Sequence, residues 1–160
     1  MTIWGAFAGG LAGTFVLTTT MAAASELRLT RVDIPFLLGT AVTVNRTAAK
    51  VVGYFLHFVA GLVFAVIYYA FFSALGRSGW LLGAAFGLAH AIFASTVLVN
   101  VLLPAVHPRM GTPFSDASSM PLIEPPGFMM VNYGRSTPLV TVVAHVAYGA
   151  IVGGFTASAR

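Results

Sequence analysis

The sequence has no cysteine and few charged residues. The absence of cysteine excludes disulfides, thiolate-bound iron–sulfur clusters, covalently attached c-type haem and cysteine nucleophiles. Only 8% of the 160 residues are charged, whereas a soluble domain carries about a quarter. So few charges do not cover a water-facing surface. Because 58% of the residues are hydrophobic and the mean hydropathy is +0.92, we expect the chain to lie in a lipid bilayer.

Acidic residues are missing from all the long apolar tracts. The four carboxylates, Glu26, Asp33, Asp116 and Glu124, lie outside them. No carboxylate therefore stands at membrane depth to relay protons or hold a cation, which argues against an ion-coupled transporter. The sequence also lacks a nucleophile elbow, a phosphate-binding loop and an HExxH motif, so we do not expect an enzyme. Eight basic residues are too sparse for a nucleic-acid partner.

Four uninterrupted apolar tracts predict four membrane-spanning helices. Each is close to the ~20 residues that cross about 30 Å of hydrocarbon, and none contains Lys, Arg, Asp or Glu. They cover residues 3–24, 51–75, 80–103 and 138–157. The predicted fold is an all-α membrane protein, a four-helix bundle in a single domain of residues 1–160.

Two long connections lie on one membrane face, which we call face A. Residues 25–50 contain Asp33-Ile34-Pro35 and then Gly39 after an apolar run, which are start and stop signals of a short helix. We expect this helix to lie in the membrane interface. Residues 104–137 form a long loop rich in proline and methionine, which we expect to act as an apolar lid without long regular structure.

Basic residues are concentrated on face A, which carries Arg28, Arg31, Arg46, Lys50, Arg109 and Arg135. The opposite face carries Arg77 and Arg160. The positive-inside rule therefore predicts that face A is cytoplasmic and that both termini are outside.

Glycines and histidines recur in the same order in the two halves of the chain. Glycine recurs at every fourth position in the first tract, at Gly5, Gly9 and Gly13, and again from the residue before the third tract, at Gly79, Gly83 and Gly87. The second and fourth contain His57 with Gly61, and His145 with Gly149. This order predicts a 2+2 parallel repeat. Small residues at this spacing let helices approach closely in lipid, and packing alone explains the glycine ladders.

Three histidines, His57, His90 and His145, lie inside the predicted spans. At ~1.5 Å rise per residue, His57 and His145 lie at about the same depth, roughly 10 Å below face A, and His90 lies near the midplane. Ionisable residues at such depth mark candidate sites. His57 and His145 could ligate the iron of a b-type haem, with Gly61 and Gly149 offering flat surfaces to the macrocycle.

The alternative interpretation of these histidines is structural. Neutral imidazoles form hydrogen bonds across helix bundles in membranes, and Ser95, Thr96 and Thr141 are candidate partners. The 104–137 loop offers a second, weaker metal site. It contains His107 and Met110, followed by Met120, Met129 and Met130, and imidazole and thioether ligands suit Cu(I).

Short sequence pieces along most of the chain resemble a family of small bacterial four-helix membrane proteins of unknown function. They are Gly9-Gly10-Leu11-Ala12-Gly13-Thr14, Val32-Asp33-Ile34-Pro35 with Leu38-Gly39, His57-Phe58 with Gly61, Gly87-Leu88-Ala89-His90, Pro126-Gly127-Phe128 and His145-Val146-Ala147-Tyr148-Gly149. The resemblance implies four helices in a bacterial inner membrane. It supplies no activity.

Three functions are consistent with these features. The first is an accessory or structural subunit of a larger membrane complex, such as a respiratory one, with lipid and other membrane subunits as partners. The second is a haem b- or quinone-binding protein that uses the histidine layer. The third and weakest is an oligomeric transporter.

Overall fold

Helices make up most of the chain in the computed structural model of the protein, which describes residues 1–110 and 122–158. Five helices are named here: α1, Ile3–Glu26; α2, Ile34–Thr40; α3, Arg46–Ala74; α4, Trp80–Val106; and α5, Thr137–Ser158. All but α2 are long and apolar enough to cross a bilayer. The prediction of an all-helical protein with four such helices is confirmed.

All four spanning helices extend further toward face A than the apolar tracts indicate, and α3 and α4 extend furthest. α3 begins at Arg46 because Asn45 caps it, accepting a hydrogen bond from the Ala48 amide. Arg46 and Lys50, which the sequence places in the connection, therefore lie on the first turns of α3. α4 likewise continues to Val106.

The face A half of α4 is a π-helix over Ala94–Leu102. Asn100 donates from its side-chain amide to the Ser95 carbonyl at 3.0 Å, which supports this wider turn. π-helical turns are frequent at functional sites, and the sequence gives no signal for this one.

The short helix α2 starts at the predicted motif. The Asp33 side chain accepts a hydrogen bond from the Phe36 amide at 2.9 Å, and Pro35 lies in the first turn, where its missing N–H costs nothing. α2 then packs closely on α3, because a Cβ added to Gly53 would collide with the Pro35 carbonyl. Its location in a membrane interface stays a prediction.

Glycines set which helices approach most closely. A Cβ on Gly83 would collide with the Gly149 carbonyl on α5, and a Cβ on Gly149 would collide with Gly83 in return. α1 packs on the other side of α5, where an added Cβ on Gly9 would lie 2.9 Å from the Val152 Cα. α1 also meets α3, because Gly10 faces Ala65. The helices therefore follow the order α3, α1, α5, α4.

Large aromatic side chains, in contrast, separate α3 from α4. Phe64 of α3 lies against the His90 ring, with centroids 3.8 Å apart, and Phe72 meets Phe86 with centroids 5.4 Å apart. Rings at this contact hold the two backbones apart. This spacing leaves room for a cavity in the centre of the bundle.

The predicted 2+2 repeat stays a prediction. Gly83 on α4 faces α5, so its counterpart Gly9 on α1 would face α3 in an exact repeat. Gly9 faces α5 instead, and the neighbouring Gly10 faces α3. The two glycine ladders therefore do not make equivalent contacts.

Candidate functional site

A cavity of about 230 Å³ lies between α1, α3, α4 and α5, in the half of the bundle nearer face A. We call it the inner cavity. Its walls are mostly apolar, and Leu37 and Leu38 of α2 together with Met130 line its face A end. Within the described part of the chain, no Asp, Glu, Lys or Arg lines it. All three intramembrane histidines do.

His57, His90 and His145 come from three different helices and meet on the walls of this one cavity. The rings of His90 and His145 are in edge-to-face contact, with centroids 4.8 Å apart and planes at 82°. The structure thus brings the three residues of the predicted histidine layer together in the bundle interior.

The tautomer of neutral His145 follows from its hydrogen bond. Its Nδ1 lies 2.9 Å from the Thr141 carbonyl oxygen. A carbonyl oxygen only accepts, so the proton of the ring is on Nδ1 and Nε2 carries a lone pair. His145 therefore presents a hydrogen-bond acceptor at its far edge.

His90 has the opposite arrangement. Its Nδ1 lies 3.3 Å from the Tyr68 hydroxyl, and Tyr68 is only 3% exposed. If Tyr68 only accepted, its own hydrogen would be buried without a partner among the described residues, which costs about 1–3 kcal/mol. Tyr68 therefore donates to Nδ1, and neutral His90 carries its proton on Nε2, as a donor.

Thr141 has an unpaired hydroxyl on the cavity wall. Thr14, Thr18 and Thr156 each donate to the carbonyl four residues earlier, which is the usual way to satisfy such a group in a helix. Thr141 is fully buried and lines the inner cavity, but its Oγ1 has no hydrogen-bond partner in the described structure. Because this oxygen has almost no accessible surface, a molecule in the cavity could bond to it only after the wall shifts.

The two glycines expected beside a cofactor have other neighbours. Gly61 lines the inner cavity, but it faces the Thr14 side chain and its carbonyl accepts a hydrogen bond from Tyr148 at 2.6 Å. Gly149 does not line the cavity and packs on the α4 backbone at Gly83 and Gly87. Gly149 is therefore a residue of helix packing, because helices this close leave no space for a macrocycle.

Haem is larger than the molecules that best suit a cavity of about 230 Å³. Pockets for drug-sized ligands start at about 300 Å³, and haem is at the large end of such ligands. The edge contact of His145 with His90 also leaves no gap for a macrocycle between those two rings. Axial ligation by His57 and His145 stays a prediction.

His107 and Met110, the candidate copper ligands, are buried at 3% and 6% exposure. Both ring nitrogens of His107 are already used. Nδ1 accepts from the amides of Arg109 and Met110, and Nε2 donates to the Leu37 carbonyl at 3.0 Å. His107 thus ties the end of α4 to α2, and copper would have to break these bonds.

Residues of the second connection (104–137) also form bonds with the first connection (25–50). Arg31 forms an ion pair with Glu124 at 3.1 Å and donates to the Asn132 carbonyl at 2.6 Å. Tyr133 donates to the Glu124 carbonyl at 2.7 Å. Burial, with a smaller contribution from the Glu124 carboxylate, raises the pKa of Tyr133, so its hydroxyl keeps the proton that it donates.

Met130, which the sequence indicates as part of a lid and of the candidate copper site, is a cavity residue. It is 2% exposed and lines the inner cavity, whereas Phe128 is 74% exposed. The backbone of Met129 and Met130 is left-handed, with φ of 49° and 60°, a conformation that costs about 1–3 kcal/mol per residue. We expect Asp116, in the middle of the lid, to be exposed to water; it and the candidate copper ligand Met120 lie outside the described residues.

A second, more polar cavity of about 230 Å³ lies between α1, the start of α2 and α3. We call it the vestibule. Glu26, Asp33 and Lys50 line it, all on the face A side. The vestibule and the inner cavity share four lining residues, Leu17, Met21, Ile34 and His57. His57 therefore stands between a polar space and an apolar one.

Comparison of the chain with protein-family models, with curated proteins and with solved structures gives no match.

Proposed function

We propose that the protein binds a small, largely apolar molecule with one polar group in the inner cavity. The observation that carries this proposal is an apolar cavity between four apolar helices, with three histidines on its walls. Ligand sites are typically apolar cavities with a few convergent polar groups. The proposal involves no catalysis.

The volume of the inner cavity distinguishes the two ligand classes that the sequence suggests, quinones and haem. A single ring of the quinone or quinol type is far smaller than haem and suits about 230 Å³. We therefore place the quinone and quinol class first and haem second.

The accessory-subunit function remains a second proposal. Large aromatic side chains, Trp4, Phe15, Phe55 and Trp80, are 63% to 76% exposed on the outside of the bundle. They suit contact with lipid and with another membrane subunit equally, so they do not favour this function over ligand binding. An oligomeric transporter is a third proposal, for which the vestibule beside His57 would be the access route.

Equilibrium binding of a small quinone tests the first proposal. We expect duroquinone, or its reduced form added separately, to bind the purified protein with saturation at one molecule per chain. Detergent micelles without protein serve as the control for partitioning. If the uptake of both forms instead rises linearly with concentration, as it does in empty micelles, the proposal is wrong. If haemin instead gives a histidine-ligated absorption spectrum, haem takes the first place.

Orientation in the membrane is a separate proposal. Six of the eight Lys and Arg residues lie on face A, so we propose that this face is cytoplasmic and that the protein resides in a bacterial inner membrane. Reporter fusions after Arg77 and after Arg160 should both report an external location. Cytoplasmic signals from both fusions would invert the orientation.

A further inference from the structure

Two of the polar groups that line the inner cavity form a donor and an acceptor on adjacent rings. His145 offers the lone pair of Nε2, because its Nδ1 donates to the Thr141 carbonyl. His90 offers the proton on Nε2, because Tyr68 donates to its Nδ1. The two rings touch, with centroids 4.8 Å apart. Yet no hydrogen bond joins them among the described residues.

Different ligand oxygens satisfy this pair to different degrees. A hydroxyl both donates and accepts, so one hydroxyl can accept from His90 and donate to His145. A carbonyl or ether oxygen only accepts, so it can bond to His90 but leaves the His145 lone pair unpaired. Leaving a buried acceptor without a partner is unfavourable.

We infer that the inner cavity selects ligands with a hydroxyl group, such as a phenol or a quinol, over ligands of equal size with only a carbonyl or ether oxygen. The inference rests on the proposed binding function and names the ligand class within it. Of a quinone and its quinol, the quinol should therefore bind more tightly.

Two isomeric ligands allow the effect of the hydroxyl group on affinity to be measured by itself. para-Propylphenol and para-ethylanisole have the same composition and nearly the same volume, but only the phenol donates a hydrogen bond. We expect the phenol to bind wild type about tenfold more tightly, the usual order for one buried hydrogen bond. In His145→Phe, which keeps an aromatic ring and removes the acceptor, the difference should disappear.

The possible outcomes distinguish a failure of this inference from a failure of the proposed binding function. If neither isomer shows saturable binding, the proposed function itself fails. If both bind wild type equally, or the ether binds more tightly, the cavity binds ligands but does not select the hydroxyl. A preference that persists in His145→Phe would overturn the assignment of the acceptor.

A spectroscopic measurement on the wild-type protein tests the same inference without the His145→Phe variant. The ¹⁵N chemical shift of His145 Nε2 should move when the phenol is added and stay unchanged with the ether. His107 serves as the internal reference, because its ring nitrogens are engaged in hydrogen bonds outside the cavity. Equal movement with both isomers would contradict the inference.

Discussion

Gly149→Ala is expected to destabilise the bundle strongly, although it adds a single methyl group. The new Cβ would collide with the Gly83 carbonyl and come within 2.8 Å of the Gly87 Cα and amide nitrogen. These are backbone atoms, which do not rotate away, so α4 and α5 must separate along their contact. Overpacking of this kind costs about 1–3 kcal/mol. We expect a clear drop in the thermal unfolding temperature in detergent.

Gly154 on the same helix is the matched control. Its nearest neighbour is the Trp80 Cβ at 4.0 Å, so an added methyl group meets no backbone. Alanine also favours a helix over glycine by roughly 0.5–1 kcal/mol in general. Gly154→Ala should therefore leave the unfolding temperature unchanged or raise it slightly. Equal stability of the two variants would mean that α4 and α5 are not in backbone contact.

His107→Ala should cause a second large loss of stability. The change removes three hydrogen bonds, although the Leu37 carbonyl keeps its bond from Thr40 and the Met110 amide keeps its bond to the carbonyl of residue 107. The Arg109 amide is left without a partner, which costs about 1–3 kcal/mol, and the missing ring leaves a cavity beside α2, so we expect a total loss on the order of 2–4 kcal/mol. Thermal unfolding measures it, and Val106→Ala, at a neighbouring residue 79% exposed, is the control.

Copper distinguishes the two roles of His107. A structural histidine whose ring nitrogens are both engaged gains nothing from Cu(I), so added copper should not raise the unfolding temperature of wild type. A copper-dependent increase in wild type that is lost in His107→Ala would establish the copper site instead.

Local properties of the sequence were enough to predict the spanning helices. Apolar runs without charge identify them because the bilayer imposes one length on each. The predicted ends of the helices were less accurate, since a capped helix can continue past the hydrocarbon into water. Asn45 begins α3 at Arg46 in this way, and hydropathy does not register a cap. The Asp33 cap of α2 was recognisable because Pro35 follows it.

The partners of the glycines could not be predicted from spacing. A ladder shows that one side of a helix is flat, but which helix approaches it depends on the bulky residues of all the others. Phe64, Phe72 and Phe86 keep α3 away from α4. This leaves α5 as the closest neighbour of α4, so that Gly149 packs on α4 and does not face a ligand.

The histidines of the site could be found from the sequence, but their hydrogen bonds could not. Counting residues along each helix gives depth, so His57 and His145 could be placed in one layer. The roles of Tyr68 and Thr141 depend on how each helix is rotated about its axis, which residue counting does not give. Met130 reaches the cavity through a left-handed backbone, and no sequence pattern predicts that conformation for methionine.

The central claim is that the inner cavity is a binding site, and a matched pair of variants on α3 tests it most directly. Ala60 lines the inner cavity, whereas Ala70 faces outward on the same helix. Ala60→Phe fills the cavity with a ring and should weaken binding of reduced duroquinone by at least about tenfold, the loss of roughly 1.4 kcal/mol. Ala70→Phe should bind as wild type does. Wild-type affinity in both variants would contradict the claim, because the ligand would then be bound elsewhere.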